Sequence, residues 1–244
     1  MNKVYRFIDG IKEWWRWPQP TRMQKELLGK YTDVIDTDLT MARLASEDSA
    51  RYILENMRTT PNFKLDYDLR DWIVKTQLSS ELLKDGLVCE FGVADGRTLN
   101  QFARLLPEKT IHGFDGFVGL PENWTSRMQK GFFARRGLPS VRDNCKLWVG
   151  WFEDTLPEFV EEHTEPLALL HVDGDLYSSA KTVLTLMQKQ IVSGTVIIFD
   201  EYINYPGWQK DEFLAWQEHC KKFKVKYEYI GYVSRHQKVA VRVL

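Results

Sequence analysis

The sequence is poor in the features that would assign it to several large protein classes. Its three cysteines, Cys89, Cys145 and Cys220, are an odd number at wide spacing with no C-x-x-C pair. That excludes a disulfide framework or a cysteine zinc site and fits a reducing compartment. Neither sign of charge is in excess, with 33 basic against 34 acidic residues in 244, so no global field draws the chain to nucleic acid. No apolar run reaches the roughly 18 residues that a membrane span requires, and the opening residues lack the uninterrupted apolar stretch of a secretory leader. Internal repeats and low-complexity tracts are missing as well. The expectation is a soluble, cytoplasmic protein with no nucleic-acid partner and no transmembrane segment.

What is present is core. Hydrophobic residues make up 43% and charged residues 27%, enough for one sizeable α/β domain with an accessory segment. The pattern changes near residues 82–87. Before it, residues 5–17, 22–31, 47–57 and 65–74 read as helical or mixed, separated by Pro18, Pro20 and Pro61, with no strand alternation. This predicts a helical N-terminal cap over 1–81. Its first seventeen residues set Val4, Phe7, Ile8, Ile11, Trp14 and Trp15 at helical spacing beside Lys3, Arg6, Lys12 and Arg16. A membrane-surface helix is one reading of that stripe. Packing on the body or on a second copy, giving a homo-oligomer, is the reading preferred here, because Asp9 and Glu13 dilute the basic face. Beyond the change, apolar runs at Leu87, Thr110, Lys146, Leu167 and Thr195 alternate with helical patterns, as a parallel sheet covered on both faces requires. The runs 225–232 and 237–243, joined by a short polar stretch, predict a closing antiparallel hairpin. The domain therefore extends over 82–244.

The stretch VCEFGVADGRTLN followed by HGFDGF (residues 88–117) reads as strand, glycine turn, helix, strand, acid. Gly92 and Gly96 open the turn, and Asp115 ends the second strand, where an acid accepts hydrogen bonds from ribose hydroxyls. The spacing Glu90-x-Gly92-x-x-x-Gly96 departs from the G-x-G-x-x-G of nicotinamide enzymes. A carboxylate at Glu90 repels a pyrophosphate but attracts an ammonium, which favours S-adenosylmethionine, with its cationic amine and sulfonium. A cofactor-free tight turn is the competing reading.

Two later strands each run apolar and end in paired acids, LALLHVDGDLY (residues 167–177) and VIIFDE (residues 196–201). In an open parallel sheet the carboxyl ends of neighbouring strands face one crevice. Asp173, Asp175, Asp200 and Glu201 are thus expected to converge, a costly arrangement unless a cation or protons neutralise it. Oxygen donors without histidine or cysteine suit a hard ion such as Mg²⁺, and Asp173, Asp200 and Glu201 are the expected ligands. Asp175 is read as a cap for the following helix. Strand-end acids serving only as caps and solvated charges are the alternative.

The ordered segments EFGVADGRTLN, GFDGFVGLPENW, GWFEDTLP, HVDGDLYSS and IIFDEYINYPGWQKDEF closely resemble the class I S-adenosylmethionine-dependent O-methyltransferases related to macrocin O-methyltransferase. The resemblance covers residue 82 to the C-terminus. It implies a Rossmann-like sheet of seven strands, a methyl donor over the first two strand ends, and Mg²⁺ beside it. Carried over by position, Glu90, Gly92 and Gly96 hold the donor's amino-acid end, with Thr98 nearby. Asp115 takes the ribose, and Gly150, Trp151 and Phe152 border the adenine. Trp151 reads equally well as core. The metal set Asp173, Asp200 and Glu201 departs from the family's usual pair of aspartates at its last position.

Methyl transfer from a sulfonium needs the acceptor oxygen deprotonated and aligned, and Asp173 is the candidate general base. His171, on the apolar strand, is expected to point into the core or sheet face. Residues 116–144, with Lys130, Arg135, Arg136, Arg142, Trp124, Phe132 and Phe133, form either an anion-reading lid or a solvated loop with an aromatic anchor. Tyr202, Asn204, Tyr205, Trp208 and Gln209 are candidate acceptor contacts. The function these features favour is a Mg²⁺-dependent O-methyltransferase of a sugar or sugar-bearing metabolite. A phenolic or catechol-like acceptor and a non-catalytic adenosine-compound binder are the alternatives.

Overall fold

A computed structural model describes residues 36–244. The helices expected at residues 5–17 and 22–31, and with them the tryptophan-bearing stripe and its oligomer contact, lie outside those residues. The first described helix, α1 (Thr37–Asn56), starts where the Asp36 carboxylate accepts from the Leu39 backbone N–H at 3.1 Å, satisfying one of the unpaired amides of a helix start. It begins ten residues before the pattern read from the sequence. After it come a two-residue strand β1 (Asn62–Phe63), α2 (Asp66–Thr76) and the short α3 (Ser80–Asp85).

From there strands and helices alternate: β2 (Leu87–Phe91), α4 (Arg97–Leu105), β3 (Ile111–Asp115), β4 (Cys145–Val149), α5 (Phe152–Glu162), β5 (Leu167–Val172), α6 (Tyr177–Leu186) and β6 (Val196–Phe199). The chain closes with α7 (Glu212–Phe223), β7 (Tyr227–Val233) and β8 (Val239–Val243). The strands form one sheet in the order β1-β7-β8-β6-β5-β2-β3-β4. Strand β8 runs antiparallel to both neighbours and every other pairing is parallel. The sheet is eight-stranded, one strand more than the resemblance implied. The additional β1 is two residues long and carries no alternation to read; it joins the edge beside β7, with Asn62 opposite Tyr232.

Central strands β2, β5 and β6 are buried at every residue, the mark of parallel strands covered on both faces. Edge strand β4 is only partly buried along its length. One face packs Val88, Leu169 and Ile198 against Leu69 and Ile73 of α2 and Leu99 and Phe102 of α4. The other packs Phe91, Phe114 and Phe199 against Phe159 of α5, Val183 of α6 and Trp216 of α7. The N-terminal region is therefore partly built into the domain: α2 supplies core and β1 supplies an edge.

Leu69 is fully buried. Its replacement by Ala removes buried methyl groups and leaves a void, so Leu69→Ala should lower unfolding free energy by about 2–5 kcal/mol. Urea denaturation measures this, and a loss below about 0.5 kcal/mol, typical of a surface change, would show that α2 is not part of the core.

Candidate functional site

The strand order reverses at β2, whose neighbours are β3 on one side and β5 on the other. At such a switch point the following loops part and leave a crevice at the carboxyl ends. A cleft lies there, lined by Gly92 and Ala94 after β2, Asp115 and Gly116 at the end of β3, Trp151, Phe152 and Glu153 at the start of α5, and Asp173, Gly174, Asp175 and Ser179 after β5. Its outer wall is Gly119, Leu120, Pro121, Phe133 and Arg135 from the loop over 116–144.

The ladder continues to the strand tips. Gly92 donates to the Phe114 carbonyl at 2.9 Å and Asp173 donates to the Phe91 carbonyl at 2.8 Å. Gly92 has a φ of 97°, and a Cβ placed on it would lie 1.7 Å from the Asp173 carbonyl oxygen. Only glycine permits that approach. The Asp115 carboxylate ties the turn down: Oδ2 accepts from Val93 and Ala94 N–H at 2.9 and 2.8 Å, and Oδ1 accepts from Phe117 N–H at 2.6 Å. Trp151 and Phe152 stand across the cleft, Phe152 resting edge-on against Phe91 with centroids 5.3 Å apart.

Of the residues expected to bind a donor, Gly92, Asp115, Trp151 and Phe152 line the cleft, whereas Glu90, Gly96, Thr98 and Gly150 do not. Gly96 is the N-cap of α4 with a left-handed φ of 76°. Gly150 donates to the Asp115 carbonyl from behind. Glu90 requires the larger correction. Its side chain leaves β2 on the core face and meets His171 Nδ1 at 2.9 Å, with both residues buried. Strand parity explains this, since Val88 and Glu90 share one face and Cys89 and Phe91 the other.

The same parity separates the acids. Asp200 follows Ile198 onto the Glu90 face, where its Oδ1 lies 3.4 Å from His171 Nε2 and its Oδ2 accepts from Lys238 Nζ at 2.7 Å. Lys238 also lies 3.6 Å from Asp66 at the start of α2. A row of alternating charge thus runs Glu90, His171, Asp200, Lys238, Asp66, buried except at its half-buried last member. Burial pulls the His171 imidazole down, but the carboxylates of Asp200 and Glu90 outweigh it and push it up to about 9. Burial raises Asp200, yet Lys238 and His171 prevail and hold it below the ordinary carboxylate range.

Asp173 belongs to two clusters: it offers an oxygen within 4.8 Å of Glu90 and His171, and one within 4.8 Å of Asp175 and Glu201, which lie as close to each other. The expected trio of Asp173, Asp200 and Glu201 is therefore replaced by one in which Asp175 stands where Asp200 was placed. Asp175 is not a helix cap: it has a φ of 61°, and Leu176 holds the N-cap position of α6 without a side-chain bond. Behind them Glu212 accepts from the Glu201 N–H at 3.0 Å. Burial first and the Asp200 charge second raise Asp173, Asp175 and Glu201, with Asp175 at about 8. Glu201 Oε2 is buried without a hydrogen-bond partner. An all-oxygen set of this kind fits a hard divalent ion.

The loop over 116–144 folds back on itself, with Leu120 and Gly131–Phe132 exchanging backbone hydrogen bonds of 2.9 Å. It is pinned at Trp124, whose indole N–H donates to Asp211 at 3.0 Å, and at Glu122, which accepts from Ser178 at 2.6 Å. The aromatic anchor is thus present, and Arg135 reaches the cleft. The segment after β6 departs from expectation. Tyr202, Tyr205 and Trp208 are at most 3% exposed and form core, with Tyr202 bonded to Tyr229 and Gln217 at 3.0 Å. Asn204 and Gln209 are engaged with His236 and Asp48. Ser179 and Glu153 line the cleft without having been singled out; both lie inside the motifs HVDGDLYSS and GWFEDTLP, at helix starts where strand parity no longer gives the side-chain direction.

Residues 125–228 match the family model of macrocin-O-methyltransferase (TylF). The resemblance read from the sequence is met there, while the glycine turn and Asp115 lie before it. Mycinamicin III 3''-O-methyltransferase of Micromonospora griseorubida is 33% identical over 95 residues, covering 39% of this chain and 35% of that protein. The 8-demethyl-8-(2,3-dimethoxy-α-L-rhamnosyl)-tetracenomycin-C 4'-O-methyltransferase of Streptomyces olivaceus is 32% identical over 95 residues, covering 39% and 33%. The chain thus spans about a third of the length of these curated relatives. Over a longer stretch the fold matches the calicheamicin methyltransferase CalS11, with a TM-score of 0.58 at 22% identity over 86% of this chain and 94% of that one. No described helix is long and apolar enough to cross a membrane.

Lys238 is the buried cation that compensates Asp200. Removing one partner of a buried pair strands the other, so Lys238→Met should cost about 3–5 kcal/mol at neutral pH. Urea unfolding of Lys238→Met beside the double variant Asp200→Asn/Lys238→Met checks it: the double variant should recover most of the loss, and equal destabilisation of both would mean that the pair is not coupled.

Proposed function

We propose that this chain is an S-adenosylmethionine-dependent O-methyltransferase that acts, with Mg²⁺, on a hydroxyl of a sugar or sugar-containing small molecule. The observation that carries the reading is the meeting of Gly92, Asp115 and Asp173 in one cleft at the strand reversal, beside an oxygen-only acid trio. The family match over residues 125–228 supports methyl transfer, and the rhamnosyl group in one relative's name supports a sugar hydroxyl as acceptor. Three free cysteines support action in the cytoplasm.

In this reading Gly92 lets the donor's amino-acid end approach the backbone, the remaining lone pairs of Asp115 accept from the ribose, and Trp151 and Phe152 border the adenine. Asp173, Asp175 and Glu201 would hold the divalent ion. That ion supplies positive charge that lowers the acceptor hydroxyl pKa and fixes the hydroxyl in place. Asp173 takes the hydroxyl proton as the oxygen–methyl bond forms and the methyl–sulfur bond breaks, its electron pair remaining on sulfur. Glu90 and His171 act from behind, orienting Asp200 and the strand tips and touching no ligand. The loop over 116–144 excludes water above the reacting atoms.

Calorimetry with S-adenosylhomocysteine should register binding without added metal. Asp115→Ala should weaken it at least about tenfold, the loss of one charge-assisted hydrogen bond or more; unchanged affinity removes the ribose assignment. Transfer of labelled methyl to a glycoside panel should stop with excess chelator and resume with Mg²⁺. Asp173→Asn should lower the rate about 10²–10⁴-fold, and turnover that survives both treatments would sink the acid-trio mechanism.

A further inference from the structure

The charged side chains among the described residues that line the cleft are Asp115, Arg135, Glu153, Asp173 and Asp175. Arg135 is the cation facing four acids. The donor proposed above carries an ammonium, a sulfonium and a single carboxylate, so the acids complement its two positive centres and oppose the third group. A carboxylate entering such a cleft is repelled unless a cation meets it, since the interaction is strong where water is excluded. Resting on that donor reading, we infer that Arg135, a residue of the covering loop, binds the carboxylate of the donor's amino-acid end.

The geometry supports this in three ways. The Arg135 backbone N–H donates to the Phe117 carbonyl at 2.9 Å, and the Phe117 N–H donates to Asp115 at 2.6 Å. Two hydrogen bonds therefore tie the Arg135 backbone to the acid assigned to the ribose. Its guanidinium lies at the glycine turn, 4.0 Å from Asp95 Oδ2, beyond hydrogen-bond length. Asp95 already pairs with Arg97 Nε at 2.5 Å, so the turn positions the Arg135 fork without consuming its donors. The following part of the loop is fixed to α4, with Asn100 Nδ2 donating to the Ser140 carbonyl at 3.0 Å and Arg142 N–H donating to Asn100 Oδ1 at 2.8 Å. The loop backbone is thus held on both sides of Arg135, whose side chain is 43% exposed. Planar guanidinium donors match a carboxylate by two parallel bonds.

The test is calorimetry on the full chain with two ligands: S-adenosylhomocysteine, and its decarboxylated analogue, which keeps the amine and lacks the carboxylate. Arg135→Gln should weaken the first about 10- to 100-fold, the range of a charge-assisted contact, and leave the second within about twofold of wild type. Arg135→Lys, which keeps the charge and loses the fork, should fall between. Equal weakening of both ligands overturns the inference in favour of a loop-shaping role, and no weakening of either overturns it because the fork then contacts nothing. Absence of S-adenosylhomocysteine binding to the wild-type chain overturns the donor reading itself, a result separable from the other two.

Discussion

Carboxylates taken out of water cost several kcal/mol each unless something of opposite charge, or a proton, replaces the solvent. Six of them, Glu90, Asp173, Asp175, Asp200, Glu201 and Glu212, lie buried or half-buried near the carboxyl ends of β2, β5 and β6. The structure meets this by dividing them. Glu90 and Asp200 fall on one sheet face and are compensated from within by His171 and Lys238. Asp173 and Asp175 line the cleft, with Glu201 buried close behind them, and Asp173 stands between that group and the Glu90–His171 pair. Internal compensation of the first group lets the second remain available for a cation, and the cleft depends on that division.

Much of this was legible in the chain. Continuous apolar runs ending in Glu90, Asp173 and Asp200 announce parallel strands whose tips share a crevice, and the folded chain has that arrangement. The partition of the acids was harder to see, although the rule that produces it is simple alternation along each strand. Applied to Val88 and Glu90, then Ile198 and Asp200, it assigns both acids to the core face. Lys238 gives no such signal. It sits at the foot of a hairpin strand, 38 residues from its partner, and reads as a solvated turn residue until the sheet order is known.

The aromatic segment after β6 shows the opposite error. Tyr202, Tyr205 and Trp208 follow directly on Asp200 and Glu201, and proximity in sequence suggested proximity to an acceptor. Instead the chain turns inward: the Tyr202 hydroxyl joins those of Tyr229, Tyr52 and Tyr227, tying α1, β7 and the post-β6 segment together. An aromatic with a polar tip suits a buried site whenever that tip finds a partner, and only tertiary contacts reveal whether it does. Strand β1 was unreadable for a different reason, since two residues carry no period.

Lys238 immediately precedes β8, the strand that lies between β6 and β7. Its ammonium enters the interior only with that strand, which is flanked on both sides. Without that strand Asp200 would keep only the His171 imidazole as a cationic neighbour. Closing the sheet and neutralising its interior are thus one structural event, since the strand that joins β6 to β7 also carries in the ammonium that Asp200 meets.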